Sequence, residues 1–435
     1  LLELREEIGK TAWSVIESES GLSRTQIEEV ASLYCESKKV IACWAMGLTQ
    51  QKHAVSTIQH IVNLLLLRGN IGRLGAGVCP VRGHSNVQGD RTVGITEHPN
   101  ESFLKNLDVQ FGISSPRNSG FNTVQAIQAM ESKIVKVFMG MGGNFARATP
   151  DSSRTEEALA KCELTVQVTT KLNKTHLAHG KGALILPCLG RSELDVQASG
   201  EQSVTVEDSM GVVHSSRGRN QPASENLKSE VAIVVGMARA AFPENQNIWQ
   251  ALQDDYSLIR KKIESVLPEL FENYNEKITQ PGGFRLYNPA AARKWNTKTG
   301  KARFITKPLP ILEVPAGKLR LMTIRSHDQY NTTIYGLNDR YRGIFGTRRV
   351  ILMNLQDMAS LGIEHGQKVV IQSHMEDGRK RQVSGFHAVR YNIPQGCAAS
   401  YFPETNELIA VEYTADRSFT PISKLVPVTV HKASE

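Results

Sequence analysis

Lys39-Val-Ile-Ala-Cys-Trp-Ala-Met-Gly47, KVIACWAMG, is a short apolar run closed by a glycine. Its length and bounding residues read as a buried strand. Upstream, residues 22–37 read as a helix. Ser23-Arg-Thr-Gln26 fits a capping box, and Ile27, Val30, Ala31 and Tyr34 mark one apolar face. Downstream, Thr49, Gln50 and Gln51 lead into a second helix to about Arg68, with Gly69-Asn70 as its stop. A loop dense in glycine and in hydrogen-bonding side chains follows, Gly75-Ala-Gly-Val-Cys-Pro-Val-Arg-Gly-His-Ser-Asn-Val-Gln-Gly-Asp90. The order helix, strand, helix, glycine-rich loop is an α/β unit.

The alternation starts again further on. Residues 96–130 are rich in Pro, Asn, Ser and Gly and read as irregular. Ile134-Val-Lys-Val-Phe138 reads as a strand closed by Met139-Gly-Met-Gly-Gly-Asn144. A helix follows from Ser152 to Lys161, with Glu156 and Glu157 toward its positive end. Leu164–Val168 and Ala183–Leu186 read as two more strands. Strands alternating with helices predict parallel sheets with right-handed crossovers, whose ligands bind beyond the strands' carboxyl ends. Gly47-Leu-Thr-Gln50 and Gly140–Asn144 fall there. Residues 245–315 read as an amphipathic connector. From about 318 short β-like runs (LRLMTIRS, RVILMN, KVVIQS, LVPVTVHK) are separated by turns, with a helix near Leu355–Leu361. That tail is a mostly β domain, a small barrel.

Composition narrows the function. Of 435 residues, 51 are Lys or Arg and 43 Asp or Glu, a net charge of +8. That excess is modest, and its longest cluster is Gly378-Arg-Lys-Arg-Gln382, so a nucleic-acid footprint is not indicated. Six cysteines, at 35, 43, 79, 162, 188 and 397, include no C-x-x-C pair. Neither a zinc site nor an iron–sulfur cluster is encoded by them. They read as buried small hydrophobes in a reducing, cytoplasmic setting. Ile61–Leu67 is far too short to span a bilayer. The chain opens LLELREEIGK, in mid-helix and without methionine or a targeting signal, so the expectation is that an amino-terminal portion lies outside it.

Strand-end glycines let backbone N–H groups approach a phosphate. Gly140-Met-Gly-Gly-Asn144 lacks the full G-x-G-x-x-G spacing and by itself serves equally as a tight turn. Arg82 offers a planar fork suited to a carboxylate or phosphate, or simply a surface salt bridge. His84 stands two positions on. His176 and His179, at i and i+3, have no acidic or cysteine partner beside them, which leaves a metal role unsupported. Neither H-E-x-x-H nor G-x-S-x-G occurs.

At Trp44-Ala-Met-Gly-Leu-Thr-Gln50, Leu67-Arg-Gly-Asn-Ile-Gly72 and Arg82-Gly-His-Ser-Asn-Val-Gln-Gly89 the sequence resembles a known family. It is similar to the large subunit of the molybdopterin oxidoreductases that carry bis(molybdopterin guanine dinucleotide), and to their formate-dehydrogenase-like YdeP branch. Thr323-Ile-Arg325 with Gln329-Tyr-Asn-Thr332 resembles the opening of that family's C-terminal cofactor-binding barrel. Tyr401–Asn406 and Pro421–Lys424 resemble its closing segments. The resemblance covers nearly the whole chain from about residue 22.

The resemblance implies Rossmann-like parallel-sheet units with a C-terminal β-barrel of double-psi type. Residues 1–95 would form part of an α/β cofactor-binding domain and 96–244 a second dinucleotide-binding unit. A connector (245–315) and the molybdopterin dinucleotide-binding barrel (316–435) would follow. It implies cofactor contacts from Gly47, Thr49, Gln50, Gln88, Gly142, Asn144, Arg325, Gln329, Asn331, Thr332, Asn406 and Lys424. Arg82 would clamp a small anionic substrate, formate among the candidates, and His84 would be a hydrogen-bond or proton-transfer partner. The protein ligand to molybdenum and a 4Fe-4S cluster are expected upstream, with an electron-transfer partner.

Departures bear on the substrate. His84 stands where formate dehydrogenases have glutamine, and Cys79 where they commonly have asparagine. The segment Val204–His214 lacks the paired arginines of many relatives. Two other classes stay open: a non-catalytic bis-MGD-binding stress-response or assembly factor, and an ordinary nucleotide-binding protein without molybdenum.

Overall fold

The computed structural model describes residues 1–84, 86–311 and 314–433. The chain divides into two compact units. One comprises Leu1–Val81, Thr149–Ser152 and Asn288–Glu435, and the other Arg82–Ala148 and Ser153–Tyr287.

In the first unit, the helix Arg24–Glu36 starts as the sequence predicts. Ser23 Oγ accepts from the Gln26 N–H at 3.3 Å, and the Ser23 N–H donates back to Gln26 Oε1 at 2.9 Å. Its apolar stripe is not buried: Val30 is 67% exposed. The strands Ile41–Trp44 and Gly77–Pro80 pair in parallel, Ile41 opposite Gly77 and Cys43 opposite Cys79. The helix Ala54–Leu67 connects them and ends where Gly69 turns to φ +63° and the Asn70 N–H bonds to the Leu65 carbonyl. The expected burial of Lys39–Gly47 is wrong. Ile41 is 53% exposed, and Cys43 is exposed too. A parallel strand is buried on both faces only when both are covered, and a two-stranded sheet here leaves one open.

The tail closes into a six-stranded barrel of double-psi type. Round the ring the strands are Leu319–Ile324, Cys397–Tyr401, Val350–Met353, Arg381–Arg390, Lys368–Ser373 and Val426–Lys432. Two pairings, Leu319–Ile324 with Cys397–Tyr401 and Val350–Met353 with Arg381–Arg390, are parallel, and the other four antiparallel. Alternate residues point inward. Leu319, Leu321, Val426, Val428 and Val430 are buried while Arg320 and Met322 face out. Val350–Met353 is buried throughout. Ile351 and Met353 fill the barrel, and Val350 and Leu352 pack outward on Ile344, Ala399 and Tyr401. Each such side chain stabilises by roughly 1.5–3 kcal/mol. Between Val383 and Phe386 one extra residue opposes Val369–Ile371, and Gly385 absorbs the bulge at φ +71°.

The second unit holds a parallel sheet of Val137–Met141, Leu164–Thr169 and Gly182–Pro187, in that order. Its first strand begins three residues later than the sequence suggests. Residues 132–136 are spent closing the preceding helix, where Ile134 and Val135 N–H groups both donate to the Ala129 carbonyl. Residues 96–130 are irregular only in part. They hold the helices Glu101–Phe111 and Thr123–Glu131, capped by Asn100 and Asn122, with 112–122 the irregular stretch between them. The asparagines that suggested loop are caps. A hairpin, Val204–Glu207 with Val212–Ser216, packs on an apolar cluster of Phe271, Tyr274 and Phe284. Among the described residues no helix is long and apolar enough to cross a membrane.

Candidate cofactor site

The site residues expected from sequence fall into two groups, one in each unit. In the second unit Arg82 and His84 are exposed, and Arg82 makes no ion pair among the described residues. Behind them the loop is tied to a buried acid that sequence reasoning overlooked. Glu207 is 6% exposed. Its N–H donates to Asn86 Oδ1 at 3.0 Å, and its Oε1 accepts from Gln88 Nε2 at 2.8 Å. Gln88 therefore spends its donor on the protein. Nothing in a lone Glu within a short strand signalled this anchor.

Gly89 explains part of the loop's composition. A Cβ there would lie 2.1 Å from Asn86 Oδ1 and 3.2 Å from Glu207 Cβ. Gly89→Ala is expected to break the Asn86–Glu207 bond, costing about 1–3 kcal/mol locally. Amide hydrogen exchange over residues 86–94 should rise while exchange in the Val137–Pro187 sheet stays unchanged.

The turn after Val137–Met141 carries Gly142 at φ +67° and Gly143 at φ +71°, a backbone that favours glycine. Asn144 is buried and accepts from Thr175 Oγ1 at 2.9 Å, and Asn173 Nδ2 donates to the Gly143 carbonyl at 2.7 Å. These bonds fix the turn, and the Gly142 N–H is itself spent on the Val168 carbonyl at 2.7 Å. Below it Gln167 Nε2 is buried without a partner. His176 Nδ1 caps a short turn by accepting the Asn173 N–H. Among the described residues no cluster of three or more His, Cys, Asp or Glu could hold a metal.

The first unit gathers Gln50, Arg325 and Lys424. Met46–Thr49 is one helical turn just past the strand Ile41–Trp44, and Gly47 within it faces open space. The Gln50 carbonyl accepts the Lys424 N–H at 3.3 Å, and Gln50 Oε1 accepts Ser423 Oγ at 2.6 Å. Met46 Sδ touches Gln50 Nε2 at 3.7 Å and Arg325 Nη2 at 3.9 Å. The Arg325 guanidinium sits over the Phe402 ring, 5.3 Å from its centre. Lys424 Nζ donates to the Thr323 carbonyl.

Electrostatics set this group apart. Burial, then the charge of Arg325, push the Lys424 ammonium down to about 8. Burial likewise holds Arg325 below its usual value. Among the described residues neither cation makes an ion pair. Two desolvated cations without a carboxylate fit a site for a bound anion such as a pyrophosphate.

The pH dependence follows. The free lysine loses its proton near pH 8, while a bound anion would raise that value. Binding therefore takes up a proton above pH 8 and none well below it. Affinity for sulfate, an anion that does not itself titrate in this range, is expected to be level below pH 7 and to fall up to about tenfold per unit above 8. Calorimetry in two buffers measures both slope and proton uptake, and in Lys424→Met the slope should vanish.

The remaining residues of this group shape the barrel rim. Gln329 accepts from the Ser326 N–H and Arg348 Nη2, and donates to the Asn331 and Phe402 carbonyls. Its amide is spent on the loop. Asn331 adopts φ +48°, and Thr332 is buried. Asn406, 2% exposed, donates to the Thr149 carbonyl at 3.2 Å. Sequence reasoning missed Asp339. Burial pushes its carboxyl up, but hydrogen bonds from His327, Arg342 and Tyr401 outweigh it and hold it low.

Comparison with known proteins agrees with the barrel. Residues 319–429 match the family described as "Molydopterin dinucleotide binding domain". The barrel is thus of the molybdopterin dinucleotide-binding kind. The chain is 45% identical to Protein YdeP of Escherichia coli K12 over 438 residues, 99% of this chain and 57% of YdeP. It is 52% identical to an uncharacterized oxidoreductase of Mycobacterium tuberculosis H37Rv over 415 residues, 94% of this chain and 53% of that protein. Formate dehydrogenase H of Escherichia coli K12 is a distant relative, 27% identical over 169 residues, 37% of this chain and 24% of that enzyme. The fold resembles acetylene hydratase from Pelobacter acetylenicus, with TM-score 0.63 and 15% identity over 99% of this chain and 66% of that one. The chain thus spans about half the length of YdeP and the mycobacterial relative.

Proposed function

We propose that this chain binds molybdenum as bis(molybdopterin guanine dinucleotide) and belongs to an enzyme of formate-dehydrogenase-like, two-electron redox chemistry on a small anionic substrate. The observation that carries this reading is the pair of half-buried cations Arg325 and Lys424, without an ion pair among the described residues, on a barrel of a family that binds molybdopterin dinucleotide. When bound, the molybdenum centre would supply the electron-accepting or electron-donating chemistry.

This chain's residues would do the rest. Arg325 and Lys424 would neutralise the dinucleotide's phosphates, with Gln50, Thr49 and the Gly47 backbone beside them. Asn331, Thr332 and Asn406 would meet it at the rim that Gln329 shapes. In the second unit Gly142 would shape the turn at which Asn144 presents its backbone N–H, and Gln88 would hold its loop through Glu207. Arg82, an exposed cation without an ion pair among the described residues, would fix the substrate anion, and His84 would hold or pass a proton at an imidazole nitrogen. An electron-transfer partner would complete the cycle.

The test is elemental mass spectrometry for molybdenum, with pterin fluorescence after oxidative release, on the full-length protein from its native host. One molybdenum to two pterins per chain supports the reading and directs a substrate screen that begins with formate. Bound cofactor with no turnover on any anion supports a binding role instead. Neither metal nor pterin, from a host that makes the cofactor, ends it.

A further inference from the structure

Cys43 and Cys79 occupy directly opposed positions in the parallel pair Ile41–Trp44 and Gly77–Pro80. Opposed residues in a sheet project from the same face. Adjacent strands run about 4.8 Å apart, inside the Cα separation that a disulfide spans. The Cys79 thiol is held above its ordinary value by burial and then by its Cys43 neighbour. Cys43 is exposed and Cys79 half-buried, whereas Cys162 and Cys188 are buried. None of the other four cysteines stands opposite another in a strand register.

We propose that Cys43 and Cys79 form a modification site, a dithiol that a hydroperoxide converts to a disulfide. Cys43, the more exposed sulfur, attacks the outer peroxide oxygen as its thiolate. The O–O bond breaks, an alcohol or water leaves with a proton, and Cys43 becomes a sulfenic acid. The Cys79 sulfur then attacks the Cys43 sulfur, the S–O bond breaks, and hydroxide leaves as water with the Cys79 proton. Two electrons pass from the sulfurs to the peroxide, and a thiol reductant reverses the change. The strands lead directly into Trp44–Gln50 and Val81–Gly89, so the bond would clamp the roots of both loops. The proposal stands on the sheet register and does not depend on which ligand those loops meet.

The test is peptide mapping of the full-length protein after hydrogen peroxide, with alkylation before proteolysis. The expected result is a Cys43–Cys79 linked peptide, lost on dithiothreitol treatment, with reactive thiols falling by two per chain under denaturing conditions. In Cys79→Ser, dimedone should trap a sulfenic acid at Cys43. Cys35→Ser should leave the linked peptide unchanged. Recovery of Cys43 and Cys79 as separately alkylated peptides, or a Cys35–Cys43 link in place of theirs, would overturn the proposal.

Discussion

Arg325→Ala is expected to strip the full-length protein of most of its pterin without unfolding it. A hydrogen bond between charged partners contributes about 1.5–3 kcal/mol, so losing one weakens binding roughly 10–150-fold. Lys424→Met should act in the same direction. The double variant should lose less than the sum, because both cations would serve one anion. The sign of the stability change separates a ligand role from a structural one. If Lys424 served the fold, its removal would destabilise the apoprotein. Its depressed value says the reverse: burial and Arg325 both oppose its charge. Apo Lys424→Met is therefore expected to be as stable as the parent or more so, while pterin content per chain drops. Urea unfolding of apoprotein beside pterin release from purified holoprotein reads both quantities. Lower apo stability with unchanged pterin would sink the assignment.

Much of this was legible because the decisive residues lie in local patterns. The Ser23–Gln26 box, the stop at Gly69-Asn70 and the alternation in Leu319–Ile324 each follow from nearest-neighbour chemistry, and the structure has all three. Arg325 and Lys424 were reached through resemblance. Their spacing of about a hundred residues has no period, and only the barrel's closure joins them. Glu207 and Asp339 were missed for the same reason, since each draws its meaning from partners far along the chain. The misreadings were local patterns without their surroundings. KVIACWAMG has the composition of a buried strand, but burial depends on what lies on both faces. The asparagines at 100 and 122 looked like loop residues until the helices they cap were present.

Arg348 should be the residue on which the barrel's rim depends most. Glycine and threonine precede it in Gly346-Thr-Arg-Arg349, a setting that suggests a surface turn, yet it is 4% exposed. Its guanidinium donates to Glu404 Oε1 at 2.7 Å, Ser326 Oγ at 2.7 Å, Gln329 Oε1 at 2.9 Å and the Phe402 carbonyl at 2.8 Å. The ring centres of Tyr335 and Tyr401 lie 4.4 and 4.8 Å from it. Lysine, a point charge, could not reproduce that fork. Arg348→Met keeps the apolar stem and removes every donor, leaving Glu404 and three other acceptors without it. Breaking a buried pair from one side costs about 3–5 kcal/mol. The Glu404 side chain retains 18% exposure and can recruit water, so the lower end, about 3 kcal/mol, is expected. Removing the carboxylate as well, in Arg348→Met with Glu404→Gln, should recover part of the loss. That recovery locates the cost in the stranded charge rather than in packing against the tyrosines. A loss below about 1 kcal/mol in urea unfolding would show a rim that rearranges around the missing fork. Gln329 and the Phe402 carbonyl would then be free to move, and with them the loop from Ser326 to Thr332 on which the proposed cofactor contacts stand.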